Sequence, residues 1–574
     1  MAEFFVICGR NGTTDSYTTD DLETIADRIL PSNAPRDVEI IRDDGVISCT
    51  INAPDSLPIH GASVCLGQMI PPREDWHEPG SPRPDGSYGI ARIDTDSVEL
   101  VADVTASRTL FYRLFDDLFV ASTSQRAIQH FADEVVLDDV AIAWMISTGG
   151  LGPEQTWDER VEQVLPHGSV RLNRSTWELT EATQPATFEP TDEPKSVHHE
   201  RLVTALDDTF EALELDTEHW ELPLSGGLDS REILFRLCDY EGLRTITWGT
   251  DAALDHPESD AVRARELAAA CDVDHRYYTI PETSDDVETV FERFVTAGEG
   301  RIDHISGYLD GFSVFADLAN RGIGGLIRGD EGFGWKTVGS PMGVRQVTGA
   351  QMVEDYDAFS SLSVPGVRRQ EFPKRLERTS GESLATWRDR LYHTYRLPVI
   401  LGALTALKTP YIEVVNPFLT QRILETVRRL PDELRTEKQL YAEYVRGRSP
   451  DVPVATESAN PNEEQFLKSD EAQAFLKSEL DTDHARKVLG EDLIEYVLGD
   501  LKNENAYEKV TSKLTLDTIK RQVGNRLPKS IIRRVESNTP INRPAPTMSC
   551  SRLAFRLYII DTMVNNLSHD ADYL

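Results

Sequence analysis

The sequence predicts an α/β protein built in two unlike halves, and three observations carry that expectation. Short apolar strands broken by turn residues fill the chain up to about residue 177. Strands then alternate with helical stretches from residue 220 onward, and from residue 463 the chain is polar with mostly helical character. A β-rich N-terminal domain, a parallel sheet flanked by helices and a helical C-terminal part follow from this order. At 574 residues the chain exceeds what one core supports, so two to four domains are expected.

FFVIC at 4–8 opens the chain as a compact apolar strand. Further strands are expected at 38–41, 46–51, 88–93, 98–101, 118–121 and 169–172, with turn signals at Asp85-Gly86, 94–96 and Asp116-Asp117 between several of them. Helices are expected at 125–132 and 138–147. Residues 183–197 carry Pro185, Pro190 and Pro194 among polar side chains and read as a linker. A helix over 198–213 follows, with Leu202, Leu206, Phe210 and Leu213 at helical spacing. The domains are therefore drawn at 1–185 and 198–574, with 457–574 mostly helical.

One stretch organises the second half. Trp220, Leu222 and Leu224 alternate along a short buried strand, SGGLDS (225–230) follows at once, and a helix-like run occupies 231–240. Adjacent Gly226 and Gly227 let backbone N–H groups converge, and the helix start adds unpaired donors and its positive dipole end. Ser225, Gly226, Gly227, Asp229 and Ser230 thus form a phosphate cradle. It is no Walker A loop, because GKS or GKT is missing. The plainer reading is a strand-to-helix turn that needs only glycine and serine.

Strands at 244–248, 275–280 and 325–328 alternate with helices at 260–270 and 307–320. Ligands bind beyond the carboxyl ends of such strands, which singles out the residues that follow them. Trp248 ends one strand; His275 reads best as a strand-end histidine. IRGDEGFGW (327–335) sets Asp330 and Glu331 between glycines right after a strand, across from the cradle, where a carboxylate can hold a divalent cation.

SGGLDS resembles the pyrophosphate loop (PP-loop) of ATP pyrophosphatases. Ahead of it, DGSYGIARID (85–94), DVTASRTLFY (103–112), VASTSQRAI (120–128) and LPHGSVRLN (165–173) stand in the order of a class II glutamine amidotransferase domain. Together they resemble the glutamine-hydrolysing asparagine synthetase family. That resemblance implies an N-terminal Ntn-hydrolase-like domain of αββα layering, degenerate here, followed by a PP-loop domain. ATP and Mg²⁺ are the implied cofactors. Ser225, Gly226, Gly227, Asp229, Ser230 and Gly329 would surround the nucleotide's phosphates, Leu224 and the Trp248 backbone its base. Asp229 and Asp330 would be metal ligands, and Asp330 and Glu331 the catalytic acids, their register left open by a shortened loop.

Departures from the family sharpen the expectation. Its amidotransferases use an N-terminal cysteine whose α-amine is the base; here the chain reads Met1-Ala2-Glu3 and Cys8 lies inside a strand, so no glutaminase activity is expected. EVVNPFL (413–419), which follows a helix expected over 399–408, resembles the family's ELRVPFL with Val415 in place of arginine, and Leu404 falls near the family's substrate-facing aspartate. Lys438 matches a family lysine. VPVATESANP (452–461) has no lysine where the family carries its catalytic one, which leaves Lys468, Lys529, Arg533 or Arg534 as replacements.

The implied activity is that of an AMP-forming carbon–nitrogen ligase joining a small-molecule carboxylate to ammonia or an amine. An intramolecular amide former resembling β-lactam synthetases or lasso-peptide cyclases stands close to it. A catalytically inactive nucleotide-binding scaffold and a tRNA-modifying PP-loop enzyme are more distant alternatives. The net charge of −38 comes from dispersed acids, and the first lysine is Lys195, a composition like that of proteins from halophilic archaea. No basic stripe suits nucleic acid. The six scattered cysteines, the absence of a signal peptide and the lack of an 18-residue apolar run predict a cytoplasmic protein with no membrane partner. A homodimer is an open expectation.

Overall fold

The computed structural model describes residues 3–54, 56–280, 285–448, 450–501 and 547–571. Its first half is a sandwich of two six-stranded sheets. One sheet runs Glu162–Gln163, Phe111–Leu114, Leu118–Ser122, Glu3–Gly9, Val46–Ile51, Val38–Asp43 from edge to edge; the other runs Glu178–Thr183, Gly168–Asn173, Ser97–Ala102, Gly86–Ile93, Ser63–Met69, Ile59–His60. An unbroken apolar run such as FFVIC must be covered on both faces. Phe4, Val6 and Cys8 accordingly meet Val64, Leu66 and Leu100 between the sheets. Phe5 and Ile7 turn the other way, into a cluster shared with the helices Thr19–Ile29, Gln125–Gln129 and Asp139–Thr148. Burial pushes the Cys8 thiol up, as suits a packing residue.

The expected αββα layering is found as αββ among the described residues. The α-helices of this half all pack against the first sheet, while Trp76 packs on Cys65, Met69 and Tyr88 of the second. The physical reason lies in the covering segment, where Pro71, Pro72, Pro79, Pro82 and Pro84 remove the N–H groups a helix needs.

In the second half five strands form a parallel sheet in the order Asp274–Thr279, Arg244–Gly249, Trp220–Pro223, Gly325–Ile327, Glu413–Val415. The chain winds outward one way from Trp220–Pro223 and then the other, which opens a crevice between its carboxyl end and that of Gly325–Ile327. Two expected helices differ from the prediction. The one over 307–320 begins only at Ser313, because Gly311 and Phe312 take left-handed backbone at φ 60° and 65°. The one over 399–408 lies partly in a wide π-helical run, Tyr392–Leu401, which contains Pro398 and so lacks one ladder donor.

One apolar cluster joins the halves, running from Phe5 and Ile7 through Val290, Phe291 and Phe294 to Phe555 and Ile559 on the terminal helix Cys550–Ala571. Among the described residues no helix is long and apolar enough to cross a membrane.

Candidate functional site

Where the strand Trp220–Pro223 ends, residues 224–228 turn and the helix Asp229–Leu237 begins without a side-chain cap. The turn's donors are held from within the protein. Ser225 N–H donates to Ser230 Oγ at 3.0 Å, Gly227 N–H to Ser225 Oγ at 3.2 Å, and Gly226 N–H to Asp260 Oδ1 at 2.9 Å. Gly226 also needs to be glycine, since an added Cβ would stand 2.4 Å from that of Ala455 and 2.6 Å from that of Arg263.

Leu224, Ser225, Asp229, Ser230, Trp248, Gly329 and Asp330 line one cavity of about 240 Å³ at the crevice, together with Asp260, Arg328 and Asn460. Three elements thus deliver the residues singled out by sequence to one place. Gly329 approaches closely, since an added Cβ would stand 3.1 Å from both the Asp229 Cβ and the Ser230 backbone N. Gly226 and Gly227 stand behind the wall, and so does Glu331.

Glu331 and Asp229 share one cation. Lys438 Nζ lies 2.7 Å from Glu331 Oε1 and 2.9 Å from Asp229 Oδ2, and Phe333 N–H donates to Glu331 Oε2 at 2.6 Å. Burial pushes Glu331 up to about 7 against the pull of Lys438, and burial likewise raises Asp229. For Lys438 burial works downward, but the two carboxylates outweigh it and hold the ammonium above the usual lysine range. Asp330 Oδ1 accepts from Arg328 at 3.3 Å. Asp260 is raised by burial in spite of its bond from Gly226.

Asp229 Oδ1 is buried and accepts no hydrogen bond. Asp229 lines the phosphate-sized cavity, and a carboxylate there with one unpaired oxygen fits a Mg²⁺ ligand, since Mg²⁺ is held by one or two carboxylates plus substrate phosphates. No cluster of three or more histidine, cysteine or acidic ligands occurs among the described residues, so Asp229 and Asp330 would hold the ion only with the help of a phosphate ligand.

Sequence reasoning missed three partners. Arg328 sits inside the IRGDEGFGW motif, beside the acids singled out above, and is the basic side chain on the cavity wall. Asp260 stands in the sequence only as the first residue of the helix expected over 260–270. The lysine-free stretch 452–461 is a strap: Ala455 N–H donates to Gly226 O and Thr250 N–H to Ala459 O, both at 3.0 Å, while Arg231 holds the carbonyls of Val452 and Pro453 at 2.7 and 3.0 Å. Its Ala459 and Asn460 close the cavity.

Other expected residues lie elsewhere. Lys468 does not line the cavity. Lys529, Arg533 and Arg534 fall outside the described residues. His275 Nδ1 bonds Thr245 Oγ1 at 2.9 Å, and burial pushes it down to about 4, as befits a strand-end histidine. Val415 is core, its carbonyl accepting from Arg328 N–H at 2.8 Å, and Glu413 is spent on a buried ion pair with Arg108. Comparison with models of known protein families and with curated proteins finds no match for the chain.

Proposed function

We propose that the protein is an ATP-dependent ligase that adenylates a carboxylate, releases pyrophosphate and passes the acyl group to ammonia or an amine, without a glutaminase of its own. One observation carries this reading: the glycine turn, the acidic loop and Trp248 converge on one cavity at the crevice of a parallel sheet, where Asp229 keeps an unpaired oxygen.

In this reading residues 225–230 hold the pyrophosphate end of the nucleotide and Leu224 and Trp248 flank its base. Asp229 and Asp330 would hold Mg²⁺, which when bound offsets charge on the leaving group. Arg328 takes the part of the missing lysine, as the cation on the wall where charge develops at the α-phosphate. Lys438 keeps Asp229 and Glu331 apart in charge until a nucleotide arrives. Asp260 has to yield Gly226 N–H before a phosphate oxygen can accept from it.

The test is pyrophosphate exchange across a panel of carboxylates in molar KCl with Mg²⁺ and ammonium, with AMP detected directly. AMP and pyrophosphate from the native chain, reduced at least about a hundredfold in Asp229→Ala, are expected. ADP as product would sink the α-phosphate chemistry. A second reading, a nucleotide-binding scaffold without catalysis, is favoured by the internal pairing of Gly226 with Asp260 and of Asp229 with Lys438. ATP binding with no AMP from any carboxylate would decide for it.

A further inference from the structure

A second cavity, of about 790 Å³, stands apart from the first, and its lining shares no residue with it. It lies between the turn at 165–167, the interdomain segment 183–190, the helix Leu384–Leu391 and the end of the helix Gln421–Arg428. Its volume falls within the range of about 300–1,000 Å³ usual for small-ligand sites. Val104, Leu165, Ala186, Phe188 and Pro431 make much of its wall apolar.

Arg428 stands in this wall with only 6% of its surface exposed. Its Nε donates to His393 Nδ1 at 3.3 Å, and among the described residues its guanidinium has no carboxylate partner. Burial pushes Arg428 down to about 10, so it stays charged at neutral pH, and exposed Glu425 is the acid that opposes this. Among the described residues the other charges around the cavity are paired, apart from exposed Glu433. Arg390 pairs with Glu382, Arg375 with Glu154, and Asp432 with Arg435, Ser383 and Thr386. His167 is pushed down to about 4 and His393 well below its usual range, in both cases by burial first, so neither brings a second positive charge.

A buried guanidinium that turns its free edge to an apolar chamber is built for a planar anion. Exposed Glu433 on the same wall would repel a second negative charge. We propose that this cavity binds a small organic monocarboxylate, with the carboxylate on Arg428 and the apolar body against Val104, Leu165 and Phe188. The site also reaches the first one. His393 Nε2 donates to Gly332 O at 2.8 Å, directly after Glu331 in the acidic loop, so the bound carboxylate is linked to that loop through one imidazole.

Isothermal titration of the full chain in molar KCl with 4-phenylbutyrate, hexanoate and benzoate tests the proposal, with 4-phenylbutanol as the uncharged control. At least one carboxylate is expected to bind, and the alcohol at least about tenfold more weakly than phenylbutyrate. Arg428→Gln should lose binding at least about tenfold, with its fold checked by circular dichroism. Ala186→Trp fills the chamber from the interdomain segment, where no core group is removed, and should abolish binding even if Arg428→Gln fails to fold. No binding of any of the three acids at about 10 mM, equal binding of the alcohol, or binding that survives Ala186→Trp would overturn it. None of these outcomes depends on ATP chemistry, so the proposal stands or falls separately from the ligase reading.

Discussion

Lys438 serves two carboxylates at once, and that sharing has a pH signature. Because the fold raises Glu331 from 4.5 to about 7, its contribution to stability is fully present below the unfolded value and is lost as pH rises through about 7. Replacing Lys438 with methionine leaves two facing acids, Asp229 and Glu331, without their cation and pushes both still higher. Lys438 and Asp229 are partly exposed while Glu331 is buried, so the cost at pH 8 should be about 2 kcal/mol, below the range for fully buried pairs. At pH 5, where the acids take up protons, the cost should shrink. Urea unfolding at both pH values checks this; an equal cost at the two would show that the carboxylates do not sense Lys438. Lys438 was noticed in the sequence, but its two partners lie more than a hundred residues earlier, out of reach of any local pattern.

Asp260 opens the helix Asp260–Ala270, and from there its carboxylate reaches the glycine turn across the crevice. As it stands, an anion already occupies the donor a phosphate would use. Asp260→Asn keeps an acceptor for Gly226 N–H but removes the charge, so inorganic pyrophosphate should bind about fivefold more tightly to the variant. Weaker binding, read by titration, would make Asp260 a positioning group that the ligand needs. Local pattern is informative for elements of this size. The expected elements do not include the helix Thr19–Ile29, although Leu22, Ile25, Ala26 and Ile29 fall at helical spacing behind a Thr18–Asp21 capping box. The proline-rich cover of the second sheet likewise argued against a helical fourth layer. The π-helical run was harder to foresee, because Leu and Ala around Pro398 suit an ordinary helix and only packing selects the wider turn.

The molecule as a whole is stitched together at Asp303. Its carboxylate lies 2.6 Å from Arg556 and 3.4 Å from Arg552 of the terminal helix, Arg556 also donates to Ile146 O at 2.8 Å, and Asp303 N–H donates to Gly149 O at 2.9 Å. Burial alone would raise Asp303, but Arg556, His304 and Arg552 outweigh it and hold the carboxyl well below the usual range. Its stabilisation is therefore present above the ordinary carboxylate pKa and lost as pH falls through the folded value. Asp303→Asn should cost about 3 kcal/mol at neutral pH, with earlier protease release of Cys550–Ala571 and a penalty that fades in acid. Unchanged stability at neutral pH would mean that the apolar cluster alone docks the helix.

The sequence by itself determined what short stretches dictate: apolar alternation set most of the strands, and strand, glycine turn and helix in immediate succession marked the cradle, because each is settled by interactions within a few residues. It also named seven of the residues that line the first cavity. Only the tertiary structure decided which charges meet. Asp229 with Lys438, Gly226 with Asp260, Arg428 with His393 and Asp303 with Arg556 are each brought together from distant parts of the chain by the packing of sheets and helices. Charge pairing acts through space over a few ångströms, and order along the chain carries no trace of it until the fold has closed.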